Sequence, residues 1–136
     1  MENDSASATL ARAVMTALRQ VQRLSGVSDG APGQIADSHA SLDMGPETDW
    51  GHKSGAGAEI RFAILIRCDG EVADRARRLA DAVRENVEVI APVLPGWRLV
   101  SLALQRARTV REPGPRWTAL IEYRARMLAE ANGGSA

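Results

Sequence analysis

The sequence predicts an α+β fold: an antiparallel sheet of about four strands, with two helices packed on one face and a long projecting β-hairpin arm. First, residues 59–68 alternate between apolar and other side chains with a period of two, which is typical of a strand with one buried face. Second, residues 8–24 and 72–87 repeat apolar residues at helical spacing. Third, residues 98–110 and 116–128 resemble strands joined by a Pro-Gly turn. The predicted order is α-β-(arm)-β-α-β-β.

The first predicted helix covers residues 8–24, and Ser5 or Ser7 is suited to cap its N-terminus. Its apolar stripe consists of Leu10, Val14, Ala17, Leu18, Val21 and Leu24. Residues 1–7 are polar, and we expect both them and residues 129–136 to be disordered ends.

Residues 27–58 form a long segment rich in Gly, Pro, Ser and Asp, a composition typical of functional loops. Within it, we interpret residues 39–58 as a strand that leads into the projecting hairpin arm. Trp50 lies near the predicted tip. It either folds back onto the domain or anchors a partner surface, where Trp is enriched.

The strand predicted at residues 59–68 has two faces of different character. Ile60, Phe62, Ile64 and Ile66 share the face expected to be buried, and Cys68 joins them as a small buried hydrophobe. Four residues share the other face: Arg61, Ala63, Leu65 and Arg67. The helix that follows has an apolar stripe that consists of Val72, Ala76, Leu79, Ala80, Val83 and Val87.

The last two strands are expected to pair as an antiparallel hairpin. In the first, Val100, Leu102 and Leu104 share a face. The inward face of the second consists of Trp117, Ala119, Ile121, Tyr123, Ala125 and Met127. The opposite sheet face therefore mixes arginines with apolar residues: Arg61, Arg67, Arg124 and Arg126 with Ala63, Leu65 and Leu120. Such a face is either a subunit interface or an ordinary solvated face on which arginine stems cover apolar surface.

Composition limits the functional classes. The 136 residues predict a single domain, and 17 Lys+Arg balance 17 Asp+Glu, which argues against a dedicated nucleic-acid binder. One cysteine excludes an internal disulfide. The first ten residues lack the pattern of a secretory signal, and no apolar run approaches the ~20 residues of a membrane span, so we expect a cytoplasmic protein with no membrane contact.

A catalytic or cofactor site is not predicted. His39 and His52, the only histidines, have no metal-ligand spacing, and phosphate-loop and nucleophile-elbow motifs are absent from the sequence. Asp74 and Asp81 lie among arginines on one helix side, a pattern typical of a solvated face. We therefore expect a protein that is not an enzyme and holds no cofactor or metal.

Several sequence segments together resemble one family, the small tail-terminator or tail-completion proteins of long-tailed bacteriophages. The segments are Asp49-Trp50, GAEIRFAILIR (57–67), ADRARRLADAVRENV (73–87), PGWRLVSLALQRARTVREP (95–113) and RWTALIEYRAR (116–126). The resemblance extends over about residues 8–128, and residues 30–45 depart from it because they are poorer in apolar residues than the family's first strand. The Arg- and Ala-rich composition suggests the version found in a phage-like gene transfer agent.

The resemblance implies a structural virion protein that forms a ring, usually of six subunits, at the end of the tail tube. The ring stops tube polymerisation and offers the surface to which the head-side stopper or connector attaches. The implied partners are other copies of the chain, the major tail tube protein and the stopper, while DNA passes through the lumen without sequence-specific binding. The implied location is the bacterial cytoplasm during assembly and then the neck of the particle.

The candidate interface residues fall into three groups. They are Asp49, Trp50 and His52 in the arm; Arg61, Arg67, Arg124 and Arg126 on the sheet face; and Arg106, Arg108, Arg111 and Glu112 near the hairpin end. The resemblance implies that Arg111 and Glu112 form an inter-subunit pair. Two alternatives are a head-to-tail connector nearer the portal and a cellular α+β ligand-binding module.

Overall fold

The structure, a computed structural model, describes residues 4–31 and 37–130, and it confirms the α+β class with two helices. The elements in chain order are α1 (Ala6–Arg19), β1 (Gly26–Asp29), β2 (Ser38–Asp49), β3 (Gly57–Asp69), α2 (Asp74–Val87), β4 (Val93–Leu94), β5 (Trp97–Glu112) and β6 (Arg116–Ala129). Among the described residues, neither helix has the length and apolarity that crossing a membrane requires.

The sheet has six strands in the order β1-β2-β3-β6-β5-β4. Strand β1 runs parallel to β2, and every other neighbouring pair is antiparallel. The prediction of an antiparallel sheet of about four strands is therefore wrong in strand number and in the edge pairing. The two missed strands, of four and two residues, are too short to show a period-two pattern.

Helix α1 begins two residues earlier than predicted, because the Ser5 hydroxyl caps it by accepting a hydrogen bond from the Ala8 N–H at 3.1 Å. The buried Ala6 is thus ordered rather than part of a disordered end. The helix ends at Arg19, five residues before its predicted end. Residues 1–3 and 131–136, at the two predicted disordered ends, lie outside the described residues, but Ala129, expected to be disordered, belongs to β6.

The segment predicted as a projecting arm is part of the sheet. Strand β2 pairs with β3 from Ser38 opposite Cys68 to Asp49 opposite Ala58, and only residues 50–56 form the connecting tip. The register shifts between Met44 and Glu47. The polar composition of this segment reflects its position near the sheet edge, where one side of the strand lacks a neighbour, and not a separate arm.

The core lies between the helices and one sheet face. Helix α1 packs on β1 and β2, and α2 packs on β3 and β6. The predicted inward residues of β3, including Cys68, are buried, and burial raises the pKa of the Cys68 thiol. In the second helix, Val72 is predicted to belong to the buried apolar stripe. It is instead 65% exposed, because α2 begins only at Asp74. Trp117, predicted to face inward, is half-buried at the sheet end.

Strand β5 does not keep the simple alternation that its sequence predicts. Its register against β6 shifts between Leu99 and Ser101 and again between Leu104 and Arg106. Val100 and Gln105 are the extra residues at these bulges, and each bulge moves the following side chains to the other face. Val100 is exposed as a result, instead of lying buried beside Leu102.

Candidate assembly surface

The sheet face that points away from the helices is called the open face below. The strand register identifies the residues at its centre. Leu65 of β3 lies opposite Leu120 of β6, and their chain neighbours Ile64 and Ile121 point to the other face and are buried. The open face comprises His39, Ser41 and Asp43 of β2, Glu59, Arg61, Ala63, Leu65 and Arg67 of β3, Thr118, Leu120, Glu122, Arg124 and Arg126 of β6, and Ser101, Ala103, Arg106 and Arg108 of β5. The face thus brings together six of the predicted site residues.

Two arginines lie directly opposite each other at the centre of the open face. Arg61 of β3 pairs in register with Arg124 of β6. Like charges at directly opposed positions destabilise a sheet. The Nε of Arg124 is buried and has no hydrogen-bond partner among the described residues, and the same holds for the Nε of Arg67 farther along β3. These two Nε atoms are thus shielded from solvent, and their hydrogen-bonding capacity is unused within the described chain.

Two other arginines of the open face are already neutralised within the chain. Arg126 donates through Nε to Glu59 at 3.0 Å, and Arg106 donates through Nε to Glu122 at 2.7 Å. In contrast, none of the ion pairs formed within residues 4–31 and 37–130 includes Arg61, Arg67 or Arg124. The sequence pattern placed Arg61, Arg67, Arg124 and Arg126 on one surface and Arg106 near the hairpin end, but it could not separate the paired arginines from the unpaired ones.

A shallow concavity of about 320 Å³ lies on the sheet near Ala63 and Glu122. Arg61 lines it, Asp43 borders it on the β2 side and Gln105 on the β5 side. The concavity is open to solvent and lacks a convergent set of catalytic groups. Across the described ranges, no group of three or more His, Cys, Asp or Glu side chains is positioned to hold a metal ion.

The hairpin tip between β2 and β3 folds against its own sheet. The Arg126 guanidinium lies 5.4 Å from the Trp50 ring centroid, and the His52 ring meets the Trp50 ring edge-on at 4.8 Å. Asp49 accepts a hydrogen bond from the Gly51 N–H at 3.1 Å. Trp50 is half-buried, so the structure supports the folded-back interpretation while leaving part of the ring accessible.

The predicted residues near the β5–β6 turn have partners in their own chain. The Arg111 guanidinium lies 5.9 Å from the Trp117 ring centroid, and Glu112 accepts a hydrogen bond from the Thr118 hydroxyl at 2.6 Å. Arg108 is exposed and belongs to none of the ion pairs of the described chain. Of the four residues expected here, Arg108 is therefore the one whose charge is not already engaged.

Two features at this surface and behind it could not be anticipated. Asp43 lies exposed at the β2 edge of the open face, which follows only from the observed register. Behind the sheet, the Tyr123 hydroxyl donates to Glu88 at 2.7 Å and Arg84 Nε donates to the same carboxylate oxygen at 2.7 Å. The hydrogen bond from Arg84 is the main cause that lowers the pKa of Glu88, while burial raises the pKa of Tyr123.

Half-buried arginines without acidic partners, on a sheet face that neither helix covers, are typical of a surface that meets another protein. The open face is thus a candidate contact surface, as a structural protein of a larger assembly would have. The chain belongs to the tail completion protein gp17 family, which matches residues 8–128. The family assignment confirms the tail-completion resemblance and gives the chain a structural role in a virion tail.

One similar solved structure is a chain in the "Virion of native gene transfer agent (GTA) particle". It is 33% identical, superposes with a TM-score of 0.74, and the match covers 93% of this chain and 100% of that chain. A comparison with curated proteins finds no match.

Proposed function

We propose that this protein is the tail terminator of a phage-like gene transfer agent, a ring of six copies that caps the tail tube. The observation that carries the proposal is the family match over residues 8–128, together with the 33% identical chain in a gene transfer agent virion. The ring ends tube polymerisation and presents the surface that binds the head-side stopper. Its partners are other copies of the chain, the major tail tube protein and the stopper.

The open face supports a role in protein association. Leu65 and Leu120 are half-buried at its centre, between the opposed Arg61 and Arg124 on one side and Arg67 on the other. An apolar centre combined with arginine is typical of interface cores. The guanidinium groups of Arg61, Arg67 and Arg124 take part in no ion pair of the described chain, and they would gain charged partners when acidic groups of another protein cover this face, which favours the assembled state.

The charge balance suits a ring through which DNA passes. The net charge is zero, so the chain lacks the basic excess that would hold DNA through its phosphates. Assembly takes place in the bacterial cytoplasm, and the finished ring lies in the neck of the particle. No membrane, metal or cofactor is required for this role.

Native mass spectrometry and electron microscopy test the proposal. The purified chain, alone or mixed with tube protein, is expected to form a closed ring, and tubes assembled in its presence are expected to end at a defined cap. A chain that stays monomeric both alone and with tube protein would overturn the proposal.

Deletion of the gene separates the terminator from the alternative head-to-tail connector. Loss of a terminator leaves over-long or unjoined tails. Loss of a connector near the portal leaves normal tails beside unsealed heads, and that outcome would favour the alternative. The family match favours either particle role over a cellular ligand-binding module.

A further inference from the structure

We infer that copies of this chain join edge to edge, with the β5 edge of one copy beside the β2 edge of the next, and that Arg108 meets Asp43 across this contact. The inference rests on the proposed ring and specifies how the ring is held together. It is carried by three observations: both sheet edges are open, their charges are opposite, and the charges lie at the same level of the sheet.

Both edges of the sheet have long stretches without a neighbouring strand. Strand β4 covers β5 only at Trp97 and Arg98. Strand β1 covers β2 only from His39 to Leu42. Beyond these short strands, nothing in the described part of the chain pairs with the outer side of residues 100–112 or of residues 43–49. A ring of identical subunits needs two different contact surfaces on each copy, and the two edges supply them.

The two open edges carry opposite charges. Residues 43–49 of β2 read DMGPETD, with three acidic residues and no basic one. Residues 105–111 of β5 read QRARTVR, with three basic residues and no acidic one. Like edges therefore repel one another while unlike edges attract, and this selects a head-to-tail contact over a two-fold one.

The opposite charges lie in one row across the open face. Asp43 pairs in register with Ala63, Ala63 with Glu122, and Glu122 with Arg106. Arg108 lies two residues farther along β5 on the same face, opposite Leu120. If the β5 edge of one copy approaches the β2 edge of the next with the same face outward, Arg106 arrives level with Asp43 of the neighbour. Arg108 arrives level with Ser41, where β1 already pairs with β2, and its long side chain reaches Asp43 diagonally past the end of β1. Opposite charges at adjacent cross-strand positions stabilise such a pairing.

Arg108 and Asp43 are the charged edge residues of these two stretches that lie on the open face without an ion-pair partner among the described residues. Arg106 is neutralised by Glu122 at 2.7 Å, and Glu47 accepts hydrogen bonds from the Ser7 hydroxyl and N–H. Neither Arg108 nor Asp43 takes part in an ion pair within the described ranges. We therefore assign the contact mainly to this pair of side chains.

Edge charges and bulges also protect sheets against indiscriminate pairing, and Pro46 in the β2 bulge has that effect. Protection alone does not require the two edges to differ in sign. Here acidic residues occupy one edge and basic residues the other. The bulge prevents a continuous backbone ladder along β2, so the side chains carry the specificity of the contact.

A charge exchange tests the inference. Arg108→Glu and Asp43→Arg, each made alone, are expected to raise the protein concentration for half-assembly by about tenfold, since like charges then meet at each contact. The double variant Arg108→Glu/Asp43→Arg restores opposite charges and is expected to assemble nearly as well as the wild type. Native mass spectrometry over a concentration series measures the ring fraction, and circular dichroism verifies that each variant is folded.

Arg78→Glu is the matched control, because Arg78 is an exposed arginine on α2 that, within residues 4–31 and 37–130, forms an ion pair with Asp74 alone. It changes the net charge as Arg108→Glu does and is expected to leave assembly unchanged. If Arg108→Glu fails to fold, the neutral variant Arg108→Gln replaces it. Its loss of assembly is expected to be smaller, and its ring assembly is expected to depend less on salt concentration than that of the wild type.

The outcomes separate this inference from the proposed function. Rings that form in the wild type and persist in both single variants would overturn the edge contact while leaving the terminator proposal intact. Single variants that lose the ring without recovery in the double variant would overturn the pairing of Arg108 with Asp43. A wild-type chain that forms no ring alone or with tube protein would overturn both proposals.

Discussion

At the scale of single residues, the two opposed arginines of the open face are expected to act differently on the stability of the subunit and on its assembly. Arg61 and Arg124 repel each other across β3 and β6. A subunit folded for its own stability alone gains nothing from this arrangement. We therefore attribute the pair to contact with another molecule.

Arg124→Gln tests this interpretation. The substitution removes the repulsion, so the free energy of unfolding of the subunit is expected to stay within about 0.5 kcal/mol of the wild type or to rise slightly. The fraction of capped tubes is expected to fall while the ring is retained, because the open face loses a guanidinium that a tube or stopper protein would meet, whereas the ring is joined through the sheet edges. Urea unfolding measures the first effect, and electron microscopy with native mass spectrometry measures the second.

Arg126→Gln is the control for Arg124→Gln, since Arg126 forms an ion pair with Glu59 inside the subunit. It is expected to lower the free energy of unfolding by about 0.5–1 kcal/mol. A loss of subunit stability in Arg124→Gln as large as that in Arg126→Gln would contradict the proposed division between the two arginines.

The lowered pKa of Glu88 predicts that the free energy of unfolding depends on pH in the acid range. The hydrogen bond from Arg84, aided by the Tyr123 hydroxyl, lowers the pKa of Glu88 below its usual 4.5. The unfolded chain thus takes up this proton near pH 4.5 and the folded chain only at lower pH. The resulting stabilisation is present above pH 4.5 and is lost as pH falls through the lowered pKa.

Glu88→Gln is expected to be less stable than the wild type at pH 7, and the difference is expected to narrow below pH 4.5. Urea unfolding at a series of pH values measures it. Glu85, three residues before Glu88 on α2, has no such partners among the described hydrogen bonds. The stability difference between Glu85→Gln and the wild type should therefore show no comparable narrowing with pH. A constant difference between wild type and Glu88→Gln across this range would contradict the assignment.

At the scale of elements, Gly55 and Gly57 near the β2–β3 tip have different roles. A Cβ on Gly57 would lie 2.5 Å from the Trp50 carbonyl oxygen and 3.0 Å from that of Met127, whereas a Cβ on Gly55 would meet nothing within 4 Å. Gly57 lets the tip close against the end of β6, where the Ala129 N–H donates to the Ala56 carbonyl at 2.9 Å.

Gly57→Ala is therefore expected to lower the free energy of unfolding by about 1–3 kcal/mol, because backbone must move to admit the methyl group. Gly55→Ala, the matched control, is expected to change it by less than about 0.5 kcal/mol. Urea unfolding of both variants measures the difference. Equal effects at the two positions would show that the close approach at Gly57 is not maintained in solution.

Much of the fold could be predicted because β3 and β6 alternate strictly, and both helices carry an apolar stripe. These patterns also placed Arg61, Arg67, Arg124 and Arg126 on one surface. The edge strands β1 and β4 were missed because two to four residues give no periodicity. The position of Asp43 in one row with Arg106 could not be anticipated, since the bulge around Pro46 hides the register that aligns them.

At the scale of the whole molecule, the tip around Trp50 lies at one end of the sheet, while Arg108 and Asp43 lie at its lateral edges. A ring joined through its edges leaves both ends of each sheet available for other partners. We therefore expect the tip to contact the tube or the stopper rather than the neighbouring subunit.

Trp50→Ala tests this assignment. The half-buried Trp50 ring packs with Arg126 and His52 and does not belong to the hydrophobic core of the described chain, so the subunit is expected to stay folded with a loss below about 2 kcal/mol. Native mass spectrometry is expected to show the ring retained, and electron microscopy is expected to show fewer capped tubes. Lys53→Ala, an exposed residue of the same tip, is the control and should cap tubes as the wild type does. Loss of the folded subunit in circular dichroism would instead make Trp50 part of the core, and loss of the ring with the fold intact would place the tip in the contact between subunits.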